Sequence, residues 1–457
     1  MPPSLPSLHD FATWEPLLRL LRERGDARYA GPDGSLVGRI ERRAWSLPVR
    51  QDVRGVEERA AVDRVRELLD DRQDVRFVAR LADGGRRAVV HVLESGPAVE
   101  PGLGAKEPGA LLLVEGAVPE PWRRLPETYP GVVPAPTQDP DLLERTLRER
   151  LPDEIGATDE KVAEMEARLG LALPEELKAL YRVTRVHWED WDGDYDNAMH
   201  LFTQVGCELL PLDEVYVAEA ATRERLWPHA ATAAVETEPD AAVQGLVGSP
   251  GWLVFGDTGG GDRIAIDLTP GPCGHVGQIV VIGHEGSVGA GLIADSLTDL
   301  VLDRPPRRRG QERAPSGPSP VAHVNKRSLP SIEAAAHPGL EVLCLGAWQQ
   351  APMSLAPVTD LPRLRTLTAY PGTLADPTEI AGLKHLEFLE LCPQDWRVLL
   401  DTGAVPRTLK AAAIETRPAD HPLALTALAN EILALWDRPP IRETVLQGEL
   451  GDPVASA

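Results

Sequence analysis

Apolar positions along this chain change period several times, and each change marks an element. Trp14, Leu17, Leu18 and Leu21 recur at helical spacing over 14–24, with Gly25 as the stop. Short mixed runs over 36–49 predict one or two strands. Val62, Val65, Leu68 and Leu69 line one side of a second helix, 56–71. Two β-prone runs, 75–81 and 86–93, flank Asp83-Gly84-Gly85, a hairpin signal. Leu111 to Val114 adds a strand, and a Pro-dense stretch, 119–140, reads as an extended connection. These elements predict an α+β unit over 1–148. His9 and His91 stand isolated in it, and no constellation of catalytic type accompanies them.

From residue 150 the pattern sharpens. Val162, Met165 and Leu169 form a helical stripe between an N-cap, Thr158, and a stop, Gly170. Pro174 opens a second helix whose stripe is Leu177, Leu180 and Tyr181. After Pro211, Asp213 and Glu214 fit the first turn of a further helix, while 230–250 is Ala-rich and poorly patterned. The run Trp252 to Phe255 and the alternating run Arg263 to Leu268 enclose Gly256-Asp-Thr-Gly-Gly-Gly-Asp262, and this arrangement reads as a hairpin. Its Gly-rich loop lacks the Lys and Ser/Thr of a phosphate loop, leads into a strand and carries two carboxylates, so it does not suit an anion. A strand at 278–282 and an amphipathic segment, 291–303, built on Leu292, Leu297, Leu300 and Val301, close the region.

The ordered set Leu173-Pro-Glu-Glu-Leu-Lys-Ala-Leu-Tyr181, Leu209-Leu-Pro-Leu-Asp-Glu-Val215, the hairpin and Gly277-Gln-Ile-Val-Val-Ile282 resembles the SUKH superfamily over 150–304. That superfamily includes fungal Smi/Knr regulators of cell-wall glucan synthesis and bacterial immunity proteins. One departure is Thr184-Arg185-Val186, where members often carry a Thr-Asn-Gly-like turn. The resemblance implies a mixed α+β domain that binds protein rather than catalyses.

Beyond a Pro/Arg-rich linker, 305–328, Leu340-x-x-Leu343-x-Leu345 recurs at Leu364, at Leu386 and, weakly, at Leu409. Its second Leu positions, 343, 367, 389 and 412, keep the leucine-rich-repeat period. Over 329–457 this predicts a short α/β repeat stack, capped by an amphipathic helix at 423–436 and followed by a frayed tail from Gly448. The expected fold class is therefore multi-domain α+β.

Charge narrows the function. Seventy Asp and Glu against 47 Lys and Arg give −23, which disfavours nucleic acid and anionic membranes and suits a basic protein partner. Four dispersed cysteines without a CxxC pair point to neither zinc nor a disulfide framework. No signal-peptide pattern or long apolar run is present, so a cytoplasmic protein is expected. Asp190, Asp192, Asp194 and Asp196 alternate, but the sixth and twelfth positions counted from Asp190 are Tyr195 and Leu201, not the Gly and Glu of a calcium loop. His284-Glu285 has Val288 where a zinc-protease motif needs its second His, and Gly286-Ser287-Val288-Gly289 lacks a nucleophile elbow's first Gly. No cofactor is implied.

The partner-binding candidates are Trp188, Trp191, Asp192, Asp194, Tyr195 and Asp196 on one loop, and Asp257 and Asp262 at the hairpin tip. The aromatics supply rigid contact area and the carboxylates select basic groups; a surface loop pinned to the core by its tryptophans is the competing reading. For an Ala/Arg/Pro-rich chain of bacterial appearance, the resemblance implies an immunity protein that neutralises a toxin, with a regulator or scaffold of cell-wall synthesis or signalling as the alternative and an unrecognised enzyme site as the third.

Overall fold

The computed structural model describes residues 7–26, 31, 33–49, 55–70, 74–102, 104–184, 195–223, 225–286, 288–307 and 317–452, except for the side chains of Tyr195 and Asn197. Contacts divide the chain into two compact units. One comprises Met1–Ala117, Leu226–Pro228 and Pro320–Ala457; the other comprises Val118–Arg225 and His229–Ser319.

In the first unit the chain opens with α1 (Phe11–Arg24), β1 (Leu36–Glu41), β2 (Trp45–Ser46), α2 (Val56–Arg66), β3 (Asp74–Ala82), β4 (Arg87–Glu94), β5 (Val99–Glu100) and β6 (Ala110–Leu112). The expected hairpin is present, with β3 and β4 antiparallel around a turn in which Gly84 and Gly85 take positive φ. Helices α1 and α2 cover one face of this sheet, where Trp14 is fully buried edge-on to Phe77, with ring centroids 5.6 Å apart.

In the second unit the order is α3 (Pro140–Arg150), α4 (Asp159–Leu169), α5 (Glu175–Val183), α6 (Tyr195–Val205), β7 (Glu208–Leu209), β8 (Tyr216–Val217), α7 (Trp227–Thr232, which begins in the first unit), β9 (Trp252–Asp257), β10 (Arg263–Asp267), β11 (Gln278–Ile282), β12 (Gly291–Ala294) and α8 (Leu297–Val301). The sheet order is β12-β11-β10-β9-β7, with β8 also pairing β9. Helices α3, α4 and α5 pack on one face through Leu143, Leu147, Met165, Leu177, Leu180 and Tyr181. Thr158 accepts a hydrogen bond from the Lys161 N–H, and Gly170 ends α4 in the left-handed region, as their spacing predicts.

Two elements differ from expectation here. The helix expected after Pro211 is one 3-10 turn, Leu212–Glu214, because Tyr216 and Val217 pair with Val254 and Leu253. The closing segment is not one helix. Leu292 lies in β12 against Val280, and α8 begins only after Ser296, whose Oγ accepts from the Asp299 N–H.

The chain then returns to the first unit as β13 (Val321–Val324), α9 (Ile332–Ala335), β14 (Val342–Leu345), β15 (Thr366–Ala369), β16 (Phe388–Leu391), α10 (Pro393–Thr402), β17 (Ala411–Ile414), α11 (Pro422–Ala434) and β18 (Arg442–Glu449). Strands β13 to β17 form a parallel ladder in which Leu343, Leu367, Leu389 and Ala412 sit in register and are fully buried. The period of the apolar pattern thus sets the strand spacing.

Division at 148 and 329 is not how the contacts group. Strand β6 pairs antiparallel with β17, and β18 pairs along its whole length with β4, so the two ends of the chain complete each other's sheets. The tail expected to fray from Gly448 is ordered through Asp452: Leu450 is buried, its N–H donates to the Arg86 carbonyl, and Gly448 makes room for the Phe11 ring, 2.4 Å from where a Cβ would stand. A segment cut to 1–148 therefore loses one of the two strand partners of β4 and one of those of β6. We expect it to show no cooperative thermal unfolding by circular dichroism, whereas an excised 118–319 unfolds cooperatively. Cooperative unfolding of 1–148 alone would contradict this division.

Candidate functional site

The hairpin organises the second unit. β9 and β10 pair from Arg263 opposite Asp257 to Asp267 opposite Trp252, with an irregularity between Ile264 and Ala265. At its tip Asp257 is buried. Its Oδ1 accepts from the Gly259 N–H at 2.7 Å and the Gly261 N–H at 3.4 Å, and its Oδ2 pairs with Arg263. Gly259 and Gly261 hold φ of 78° and 97°, which the glycine-rich sequence allows without strain. Asp262 Oδ1 accepts from the His284 N–H at 2.8 Å and lies 2.6 Å from His284 Nδ1. The backbone and then the ring of His284 hold the Asp262 carboxyl below its ordinary range. Both tip carboxylates, offered by the sequence as partner contacts, are thus engaged inside the domain, where they fix the loop and tie it to the residues after β11.

At the hairpin's other end a polar network is buried. Asp267 accepts from Gln278 Nε2 and from the Thr269 N–H, both at 2.9 Å. Gln278 Nε2 also donates to the Ala242 carbonyl, and Gln244 Nε2 donates to the carbonyls of Glu127 and Thr269. This network holds the pattern-poor stretch after α7 against the sheet. Burial raises the Asp267 carboxyl from 3.8 to about 6, against hydrogen bonds that lower it.

A third feature explains the Leu173-Pro-Glu-Glu-Leu177 motif. Glu176 is 1% exposed, and its carboxylate accepts from the Leu297 N–H (2.9 Å), the Thr298 N–H (3.2 Å), the Thr298 hydroxyl and the Asp139 N–H (3.2 Å). A carboxylate thus caps the first turn of α8, where unpaired N–H groups favour negative charge. Sequence reading passed over Glu176. The available signal was a carboxylate beside Leu177 and one turn before Leu180 on the apolar stripe. Arg150 was passed over as well; its Nη1 donates to the carbonyls of Gln204 and Val301 and so joins α3, α6 and α8.

Beside this network lies a cleft of about 310 Å³ lined by Val133, Cys273, His275, Leu292, Asp295 and Arg307, among others. Asp295 is buried, and its Oδ2 accepts from the Arg307 N–H. Val133, 57% exposed, adds apolar surface. The cleft offers apolar contact beside a carboxylate. Of the other candidates, Trp188, Trp191, Asp192 and Asp194 lie outside the described residues, Tyr195 opens α6, and Asp196 follows it, exposed. Among the described residues no group of three or more His, Cys, Asp or Glu is placed to hold a metal ion, and no helix is long and apolar enough to cross a membrane.

Two stability predictions follow from these contacts. Glu176→Ala leaves buried donors unpaired and lowers the unfolding free energy by about 2–4 kcal/mol; a loss in urea unfolding below about 0.5 kcal/mol would show the bonds to be dispensable. Folded Asp267 holds its proton more tightly than the unfolded chain. Its contribution is therefore full below 3.8 and lost as pH rises through about 6. Asp267→Asn should shrink the stability difference between about pH 4 and pH 7 by up to about 3 kcal/mol. An unchanged pH profile would show that Asp267 titrates normally.

Residues 156–303 match the model of the SMI1 / KNR4 family (SUKH-1). A Neurospora crassa protein named "Glucan synthesis regulatory protein" is 34% identical over 67 residues, 15% of this chain and 13% of that protein. The Schizosaccharomyces pombe "Cell wall biosynthesis/cell cycle regulator smi1" is 28% identical over 147 residues, 28% of this chain and 27% of that protein. A "KNR4/SMI1 homolog" of Yarrowia lipolytica is 38% identical over 53 residues, 12% of this chain and 7% of that protein. The chain thus spans less than a third of the length of each of these fungal relatives. The stretch from α4 through the hairpin to α8, residues 156–303, is a SUKH-1 domain of the SMI1/KNR4 family.

Proposed function

We propose that this chain is a regulatory protein that works by protein–protein contact through its SUKH-1 domain, without catalysis, in the control of cell-wall synthesis. The observation that carries this reading is the family match over 156–303, together with relatives named as regulators of glucan synthesis and cell-wall biosynthesis. The geometry supports it. Asp257, Asp262 and His284, the groups a catalytic reading would draw on, satisfy one another or the hairpin backbone. The contact surface we assign is the stretch that holds Trp188, Trp191, Asp192, Asp194, Tyr195 and Asp196, whose sequence combines aromatic residues with carboxylates. Asp257 and Asp262 shape the hairpin tip.

A second reading, neutralisation of a basic toxin by an immunity protein, draws on the net charge of −23, because complementary charge speeds association. Affinity capture from lysate of the producing organism with the full chain separates the two. Retention of wall-synthesis components supports the regulator, and retention of a basic toxin released by moderate salt supports immunity. If neither class is retained, both readings fall. Asp192→Asn with Asp194→Asn should weaken capture about tenfold and flatten its salt dependence; unchanged capture removes the stretch from the contact surface.

A further inference from the structure

Strand β18 is an outermost strand of the first unit's antiparallel sheet, whose order is β18-β4-β3-β1-β2. It runs for eight residues, against two for β2 at the opposite edge. Edge strands are commonly blunted by Lys, Pro, bulges or shortness. None of these applies, although Arg442, Glu443 and Glu449 are charged: Arg442-Glu-Thr-Val-Leu-Gln-Gly-Glu449 holds neither Lys nor Pro, and its register with β4 runs unbroken from Arg442–Glu94 to Glu449–Arg87.

The hydrogen-bond phase shows which groups are open. The Leu450 N–H donates to the Arg86 carbonyl one step beyond the Glu449–Arg87 pair. Antiparallel partners alternate between bonded and non-bonded pairs. Residues 442, 444, 446 and 448 therefore bond to β4, and Glu443, Val445, Gln447 and Glu449 turn their N–H and C=O groups outward. The same four residues are exposed, Val445 by 55%.

We propose that β18 is a self-association edge, on which a second copy of this chain lays its own β18 antiparallel, about a twofold axis at Val445. The outward phase permits only registers that set these four residues against one another. Centred on Val445, the pairing places Val445 on Val445 and Glu443 on Gln447 at both ends, so an exposed apolar side chain is covered and Glu443 meets an amide, while Glu449 lies beyond the paired residues. The permitted register centred on Leu446 opposes Glu443 to Glu449, a like-charge pair that disfavours it, and the registers centred on Thr444 and on Gln447 set Val445 against an acid, Glu443 or Glu449. The sequence of the strand therefore complements itself in one register. Two strands bury modest area, so the dimer is weak, forming at about 10–100 μM.

Sedimentation velocity of the full chain over about 1–200 μM reads this association directly. The weight-average sedimentation coefficient should rise with concentration. Val445→Pro removes an outward N–H and costs β4 no bond, and Val445→Lys adds a charge at the axis. Both variants should stay monomeric across the range while keeping the wild-type unfolding transition. In the wild type, amide exchange at Glu443, Val445 and Gln447 should slow as concentration rises, a readout that needs no variant. A chain that stays monomeric throughout overturns the proposal, including the case in which the edge serves another protein's strand. A dimer that survives both substitutions, or exchange at these amides that is independent of concentration, overturns it equally.

Discussion

Within the SUKH-1 domain one buried carboxylate joins α5 to the first turn of α8. Glu176 sits on the apolar side of α5 and accepts from three backbone N–H groups and one hydroxyl, drawn from stretches far apart in the chain. Burying an ion without partners is prohibitive, so the carboxylate and the first turn of α8 stabilise each other only when both are in place. That constraint fixes where the chain re-enters the helical layer after β12. The sheet on which α3, α4 and α5 pack then presents its hairpin at a defined place.

The hairpin shows how charge in a loop changes meaning once neighbours are known. Asp257 and Asp262 stand among four glycines, a composition that favours exposure. Yet a loop rich in glycine has a large conformational entropy to lose, and its open backbone N–H groups need acceptors. Asp257 meets that need for Gly259 and Gly261, and Asp262 binds the chain at His284. The carboxylates make one loop shape possible. The tip carboxylates are thus spent on the shape of the domain itself.

In the first unit the decisive pairings join the two ends of the chain. A parallel ladder leaves an unpaired strand at each side. The β17 side is closed by β6 from the first 117 residues, and the β4 side of the antiparallel sheet is extended by β18 from the last 20. Neither end carries a full set of partners for its own strands, which is why the two share one unit.

Local pattern alone determined much of this protein. The Asp83-Gly84-Gly85 hairpin, the α4 caps at Thr158 and Gly170, the 252–268 hairpin and the spacing of Leu343, Leu367 and Leu389 are set by neighbours in sequence, through periodicity, capping and turn chemistry. The motifs of the SUKH-1 domain were legible for the same reason: they are short, ordered and local. Tertiary structure alone decided what depends on residues far apart. Leu292 is a strand residue because β11 is beside it, the turn after Pro211 gives way to β8 because β9 offers an edge, and the segment from Gly448 is ordered because β4, Arg86 and Phe11 receive it. No local pattern marks Glu176, Gln244 and Gln278 as buried; their distant donors and acceptors close around them. A hydrogen bond across a hundred residues leaves no period in the sequence.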